Sequence, residues 1–218
     1  MSLTIYGLPA SRAIRPLWAA CELGLSFRHV SMPYEGGATR TADFLALNPN
    51  GHIPVVVDDR PEGRVVVWES MACALYVARH HGVADGRSIT PATPGEDAEA
   101  LRWSFWAMAE AEADALTVLM HRMVMPSERR KPELAEAAER RLAVPFRVIE
   151  QHLERQRSAG MAHLAADRFT VADLCVASVL NWARPAHGLM AAHPLTHQWI
   201  VRCMERPAQL AVKALGKA

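Results

Sequence analysis

"NPNGHIPVV", residues Asn48 to Val56, is the stretch whose reading decides the fold. Asn-Pro-Asn-Gly is turn chemistry, and Val55, Val56 and Val57 are strand formers. Pro54 stands at the mouth of that strand, where it has no N–H to give to a ladder. Two readings account for it. A trans proline can open a strand. A cis proline costs only about 0.5–1 kcal/mol over trans, so a tight turn can hold it. The cis form would leave the backbone N–H and C=O of Ile53 facing a groove, where an extended peptide pairs with them as an added strand. Pro54 alone does not choose between the two.

The flanking segments supply the frame. Residues 3–7, Leu-Thr-Ile-Tyr-Gly, form a short β-prone run. Leu17, Cys21 and Leu25 lie four apart, which predicts a helix over 17–25 with Gly24 as its stop signal. Residues 26–32 read as a second strand carried by Phe27 and Val30. A glycine loop at Gly36-Gly37 precedes a short helix around 42–47. Residues 55–58 and 64–68 read as a hairpin closed by Asp59-Arg60-Pro61-Glu62-Gly63. Met71, Ala74, Leu75 and Ala78 then recur at helical spacing over 70–80. The order is βαβ, short helix, ββ, helix, which is an α/β pattern.

Beyond it the β signal ends. Glycines and prolines gather between Gly82 and Gly95, so residues 83–95 are expected to link a first domain over 1–82 to a second over 96–218. The second reads as all-helical. Leu101, Phe105, Met108, Leu116, Met120 and Met123 recur at three- and four-residue steps. Pro132 opens another helix, with Leu134, Ala138, Leu142, Phe146, Ile149 and Leu153 on one stripe and Pro145 inside it as an expected kink. In Phe169-Thr170-Val171-Ala172-Asp173-Leu174, Thr170 and Asp173 have capping-box spacing, and Phe169 and Leu174 are placed as a hydrophobic staple. That signal is structural. A last helix is expected near 197–206.

Composition narrows the class. The chain has 218 residues, a formal net charge of +1 and 22% charged residues, an ordinary globular balance with no electrostatic footprint for nucleic acid or an anionic membrane. Cys21, Cys73, Cys175 and Cys203 form no C-x-x-C pair and read as buried reduced thiols. Met1–Gly7 has no basic n-region, and no stretch reaches the roughly 20 apolar residues of a membrane span. A cytoplasmic location is the expectation.

Four segments taken together carry a resemblance: "GLPASRAIRPLWAACELGLSF", "FLALNPNGHIPVV", "VWESMACALYVA" and "FTVADL". Their order and spacing resemble the soluble glutathione transferases over nearly the whole chain. "Ser-Arg-x-x-Arg-x-Leu-Trp" is similar to bacterial and fungal members with serine at the catalytic position. The resemblance implies an α/β thioredoxin-like N-terminal domain, with a cis proline at Pro54, followed by an all-α C-terminal domain. It implies glutathione as co-substrate, a role in detoxification, a small electrophile as second substrate and a two-fold homodimer. In such a dimer one subunit's glutathione domain faces the other's helical domain, and the apolar helix over 96–125 offers surface for part of that contact. No metal or nucleotide is implied.

The chemistry also stands without the family. Glutathione carries a thiol, two carboxylates and an ammonium. A free thiol titrates near roughly 8.5, and lowering that by about two units means favouring thiolate by roughly 2.7 kcal/mol. A hydroxyl donor and a helix N-terminus are a plausible source. Ser11 lies at the junction of the first strand and first helix. It reads as a helix cap or as the thiolate's donor, and Pro16 favours a helix starting later, with Ser11 in a loop and its hydroxyl free. Tyr6 is an alternative donor, although its strand position suits the core. Arg12 is within reach of a ligand, and Arg15 reads as structural.

Glu69-Ser70 opens a helix. Ser70 reads as its N-cap, or, with exposed N–H groups, as a carboxylate binder beside Glu69 for an ammonium. The resemblance assigns this pair the γ-glutamyl end of glutathione and places His52, Ile53 and Pro54 along the peptide. Arg40 reads as a partner for the glycyl carboxylate or as a solvated surface charge. Trp103, Trp106 and Met120 read as the lining of an electrophile pocket or as core. His80 and His81 are adjacent and face apart, and Pro194 separates His193 from His197, so no metal site is expected. A glutathione-dependent isomerase and a non-catalytic binding module of the same fold stand as alternatives to a transferase.

Overall fold

A computed structural model of the chain describes residues 2–33 and 36–216. The outermost residues of the two expected domains, Met1 and Lys217-Ala218, lie outside that range, as do Tyr34 and Glu35. The chain divides into two compact units, Met1–Ala92 with Arg206–Ala218, and Thr93–Glu205.

The first unit is built on β1 (Ser2–Tyr6), α1 (Ile14–Glu22), β2 (Arg28–Val30), α2 (Ala42–Leu47), β3 (Val55–Arg60), β4 (Gly63–Trp68) and α3 (Ser70–His81). The sheet order is β2-β1-β3-β4. β1 pairs parallel with β2 and antiparallel with β3, and β3 pairs antiparallel with β4. This is the expected thioredoxin-like arrangement. The Ile53–Pro54 bond is cis. The β3–β4 hairpin is tighter than expected: Arg60 pairs with Gly63, so Pro61-Glu62 alone makes the turn. Gly63, at φ 137°, supplies a conformation that a side chain would resist.

Val55, Val56 and Val57 are all buried, because β3 is covered on both faces. Val55 and Val57 meet Phe44 of α2, with Tyr6, Met32, Leu47 and Ile53 around them. Two residues further along the alternate face, Asp58 accepts from Tyr76 and His81 of α3. Gly24 ends α1 at φ 62°, as a left-handed stop residue should.

The helix α10 (Pro207–Leu215) belongs by its contacts to this first unit and packs on α1. The sequence expectation had kept everything from 96 to 218 in one helical domain. Arg206 fixes the return of the chain, donating from Nε and Nη2 to the two carboxylate oxygens of Glu22 at 2.6 and 2.8 Å.

The second unit contains α4 (Pro94–Trp106), α5 (Glu112–Leu119), α6 (Pro132–Ser158), α7 (Val171–Leu180), α8 (His187–Ala192) and α9 (Pro194–Met204). α4 starts inside the expected linker: Thr93 Oγ1 accepts from Glu96 N–H at 3.1 Å and Pro94 occupies the first turn. Wider π-helical turns follow α4 at Ala107–Ala111 and α5 at Met120–Val124. α6 runs as one helix through Pro145. All ten residues of α7 are buried, so it is the unit's central element. The expected Thr170–Asp173 capping box is present at its start.

The apolar stripe expected along α4 and the following helix points the wrong way. Phe105 is 71% exposed, while Ala100, Trp103, Ala107, Ala111, Ala115 and Val118 form the buried side. Likewise Leu134 on α6 is exposed, although Ala138, Leu142, Phe146, Ile149 and Leu153 are buried as expected.

Candidate functional site

Strand register determines which loops meet. Tyr6 pairs with Val30 and with Val55, and Val55 pairs with Trp68. These residues form one row across the sheet, so the segments adjoining them emerge at the same edge. Residues 7–13 leave β1 there, 50–54 enter β3 there, and Glu69-Ser70 leave β4 there. Gly7 makes the approach close. A Cβ on Gly7 would stand 2.6 Å from the Ala13 Cβ and 3.4 Å from the Ile53 Cβ, and its φ is 138°. The first loop therefore lies directly against the residue preceding the cis proline.

Ser11 sits in a turn before α1, whose N-cap is Ala13. That agrees with a helix starting late. The hydroxyl is not free, however. It donates to Leu8 O at 2.7 Å and accepts from Ala13 N–H at 3.1 Å. A hydroxyl has one proton, so donation to a sulfur requires release of Leu8 O. Arg12 lies beside it, half-buried. Tyr6 packs edge-on against Phe44 with ring centroids 6.2 Å apart, a core role.

The loop carrying His52 and Ile53 is held by Asn48, which the sequence reading did not single out. Asn48 is buried; its Nδ2 donates to His52 O at 2.7 Å and its Oδ1 accepts from Asn50 N–H at 3.0 Å. An asparagine two residues before a backbone N–H in a turn is the legible sign of such a clamp. His52 itself is exposed. Arg40 donates to Asn50 O at 3.2 Å and lies against Gly51, where a Cβ would come within 2.7 Å of Nη1. Arg40 is thus tied to the same loop.

At the third segment the N-cap of α3 is Glu69, not Ser70, and Glu69 makes no side-chain cap bond. Glu69 has φ 69°, the one positive value among described residues other than glycine. Such a conformation costs of order 1–3 kcal/mol and concentrates at ligand sites. Ser70 is buried and its Oγ accepts from Arg15 Nη1 at 2.6 Å. The first turn of α3 contains no acidic residue. Helix N–H groups, a hydroxyl and a guanidinium therefore converge where an anion is favoured.

The protein's own thiols do not supply a nucleophile here. Burial pushes the Cys73 thiol far up, and burial together with Glu22 raises that of Cys21. The described residues contain no group of three or more His, Cys, Asp or Glu side chains able to hold a metal ion. No helix of the described residues is long and apolar enough to cross a membrane.

The remaining candidates belong to other elements. Trp103 is 4% exposed and packed edge-on against Trp106 and His152, at 5.1 and 4.7 Å between centroids. It fills the interior of the second unit rather than lining an open pocket. Trp106 and Met120 are half-buried. His80 and His81 both approach Tyr76, at 4.7 and 6.2 Å between ring centroids, and His81 also bonds Asp58. His193 bonds Leu189 O and packs on Phe146.

A thioredoxin-like sheet with a cis proline entering its third strand, in a chain that also carries an all-helical unit, defines the two-unit class of thioredoxin-like proteins. The chain belongs to the glutathione S-transferase family: residues 1–79 match the N-terminal domain of glutathione S-transferase and residues 112–207 its C-terminal domain. It is 34% identical over 215 residues to glutathione S-transferase 3 of Zea mays, covering 94% of this chain and 90% of that protein. The solved structure of glutathione S-transferase III in apo form is similar with a TM-score of 0.78 at 31% identity, over 98% of this chain and 96% of that one. Ure2p in complex with glutathione shares the fold with a TM-score of 0.81 at 19% identity, over 97% and 93% of the two chains.

Proposed function

We propose that this protein is a cytoplasmic glutathione transferase. Glutathione binds along the sheet edge of the first unit as a thiolate and attacks an electrophilic small molecule or a peroxide. The observation that carries the reading is the convergence of the Ser11 turn, the Ile53–Pro54 loop and the Glu69-Ser70 helix start at one end of the sheet. Each segment suits one part of the tripeptide. Ser70 and the first N–H groups of α3 take the γ-glutamyl carboxylate, and Glu69 takes the ammonium. The backbone of Ile53 pairs with the cysteinyl residue, as an added strand would. Arg40 and His52 stand toward the glycyl end, while Ser11, flanked by Arg12, stands toward the sulfur. Trp106 and Met120 remain candidates for contact with the electrophile, and no metal takes part.

A homodimer belongs to the same proposal. Phe105 on α4 and Trp68 on β4 are 71% and 39% exposed, large apolar groups whose burial a second copy would favour. Light scattering at micromolar concentration should give about twice the 24.0 kDa chain mass.

A non-catalytic binding module is the second reading, and one bond favours it: the Ser11 proton is already committed to Leu8 O at 2.7 Å. A calorimetric titration with glutathione followed by a screen against electrophiles and peroxides separates the two. Binding with turnover supports the transferase. Binding without turnover on any of them leaves the module, and turnover confined to isomerisation identifies an isomerase.

A further inference from the structure

Arg15 presents a contradiction in its placement. It is an arginine with 0% exposure, on the inner side of α1, in a chain that otherwise keeps its guanidinium groups at least partly in water. Burying a charge is costly unless it is paired and hydrogen-bonded, so its contacts carry information. Its Nη1 is directed at the hydroxyl of Ser70, 2.6 Å away and itself 3% exposed.

The direction of that bond is chemically fixed. A guanidinium has donors and no acceptor, so Ser70 Oγ must be the acceptor. A serine hydroxyl that accepts from below keeps its single proton for donation elsewhere. Ser70 is the first residue of α3, where backbone N–H groups also point outward. The oriented proton and the helix N–H groups both favour a carboxylate at that spot over a neutral group.

We propose that Arg15 is a positioning residue for carboxylate recognition: from beneath, it sets Ser70 as a hydrogen-bond donor and so selects ligands bearing the γ-glutamyl carboxylate. This rests on the glutathione reading above. It gives a specific task to a residue whose sequence context suggests only a structural one. Arg15 touches neither the sulfur nor the carboxylate, so its effect belongs in binding and selectivity, not in the chemical step.

The test compares two ligands by calorimetry: glutathione, and 4-aminobutyryl-cysteinyl-glycine, which lacks the γ-glutamyl carboxylate and keeps the rest. The wild type should prefer glutathione by about tenfold or more, the scale of a hydrogen bond to a charged group. Arg15→Met should lose most of that preference by weakening glutathione alone. Arg15→Lys keeps the charge without the planar fork and should fall between them. If Arg15→Met does not fold, Arg15→Lys carries the comparison. In a Ser70→Ala background the Arg15→Lys penalty on glutathione should shrink to under about twofold, since the two residues act as one unit. Equal loss of both ligands in the Arg15 variants overturns the role and makes Arg15 merely structural, as does an undiminished penalty in the Ser70→Ala background. Wild-type protein that binds glutathione and the analogue equally also overturns it. Wild-type protein that binds neither ligand overturns the glutathione reading itself, an outcome distinct from the others.

Discussion

The indole N–H of Trp199 donates to Asp173 Oδ1 at 3.0 Å, and both side chains are fully buried. The same oxygen accepts from Leu164 N–H at 3.0 Å. The other, Oδ2, accepts from Thr170 N–H at 3.0 Å and from the Thr170 hydroxyl at 3.3 Å. One carboxylate therefore joins the segment before α7, the cap of α7 and the side chain of α9. Asp173→Ala would leave Leu164 N–H, Thr170 N–H and the Trp199 indole buried without this acceptor. At about 1–3 kcal/mol for each unsatisfied donor, partly relieved by water, the loss should be about 3–5 kcal/mol. Denaturant unfolding measures it, and a loss under about 1 kcal/mol would mean that water replaces the carboxylate.

That cap was readable because Thr-x-x-Asp before an apolar run is a local signal. Gly24 and the short α2 were legible for the same reason. What escaped was non-local. Ala100, Ala107, Ala111 and Ala115 form the buried side of the helices around α4 because small residues let helices approach closely, whereas the large side chains of Leu101 and Phe105, which dominate the apolar periodicity, are exposed. The π turn at Ala107–Ala111 then shifts the phase of the repeat. The burial of Arg15 was unreadable, since the energy that permits it comes partly from Ser70, 55 positions away in the chain. Within the site, Pro54 marked the entry to β3, but the Asn48 clamp beneath the loop became visible only through its partners.

A second cluster predicts pH behaviour. Asp58 Oδ2 accepts from Arg60 Nε, Tyr76 OH and His81 Nε2, at 2.7, 2.8 and 2.8 Å. Burial opposes ionisation of Asp58, but these hydrogen bonds outweigh it and hold the carboxyl below its ordinary value. For Tyr76, burial followed by the bond to Asp58 raises the phenol to about 12. A raised folded value means stabilisation that is complete below the ordinary phenol value of about 10 and is lost as pH climbs toward about 12. The depressed Asp58 works in the opposite sense: its contribution is present above the ordinary carboxylate range and is lost as pH falls through the folded value. Tyr76→Phe should therefore unfold more readily at neutral pH by about 1–2 kcal/mol, and lose less additional stability between pH 10 and 12 than the wild type. Its acid-side loss should be smaller and should end at higher pH, because with one donor gone the folded Asp58 value lies closer to the ordinary carboxylate value. Parallel base-side curves for the two proteins would remove Tyr76 from the account.

Asn48 offers a test of loop order. Asn48→Ala deletes the bonds to His52 O and Asn50 N–H at a buried position. The expected cost is about 1–3 kcal/mol. Because the clamp holds the loop that presents Ile53, the variant should also bind glutathione several-fold more weakly. Turnover at saturating glutathione should change little. An unchanged affinity beside the expected stability loss would detach the loop from the ligand.

Ser11 and Ser70 separate activation from binding. Ser70 should hold the γ-glutamyl carboxylate, far from the thiol, equally in ground state and transition state. Ser70→Ala should thus mainly raise KM for glutathione. Ser11 should act on the sulfur, but its hydroxyl donates to Leu8 O at 2.7 Å. A bound thiolate is a charged acceptor and a stronger partner than a carbonyl, so it should draw the proton away from Leu8 O. Ser11→Ala should then raise the pKa of bound glutathione and lower turnover at neutral pH by roughly tenfold to over a hundredfold, the equivalent of about 1.5–3 kcal/mol. The same variant removes the bond to Ala13 N–H, so a thermal melt must show that the turn survives. The ultraviolet absorbance of the bound thiolate, followed against pH in both variants, gives the readout. A titration unmoved by Ser11→Ala would confine Ser11 to its turn, with Leu8 O as its permanent acceptor, and would pass the thiolate to Tyr6, Arg12 or a backbone N–H of the same loop.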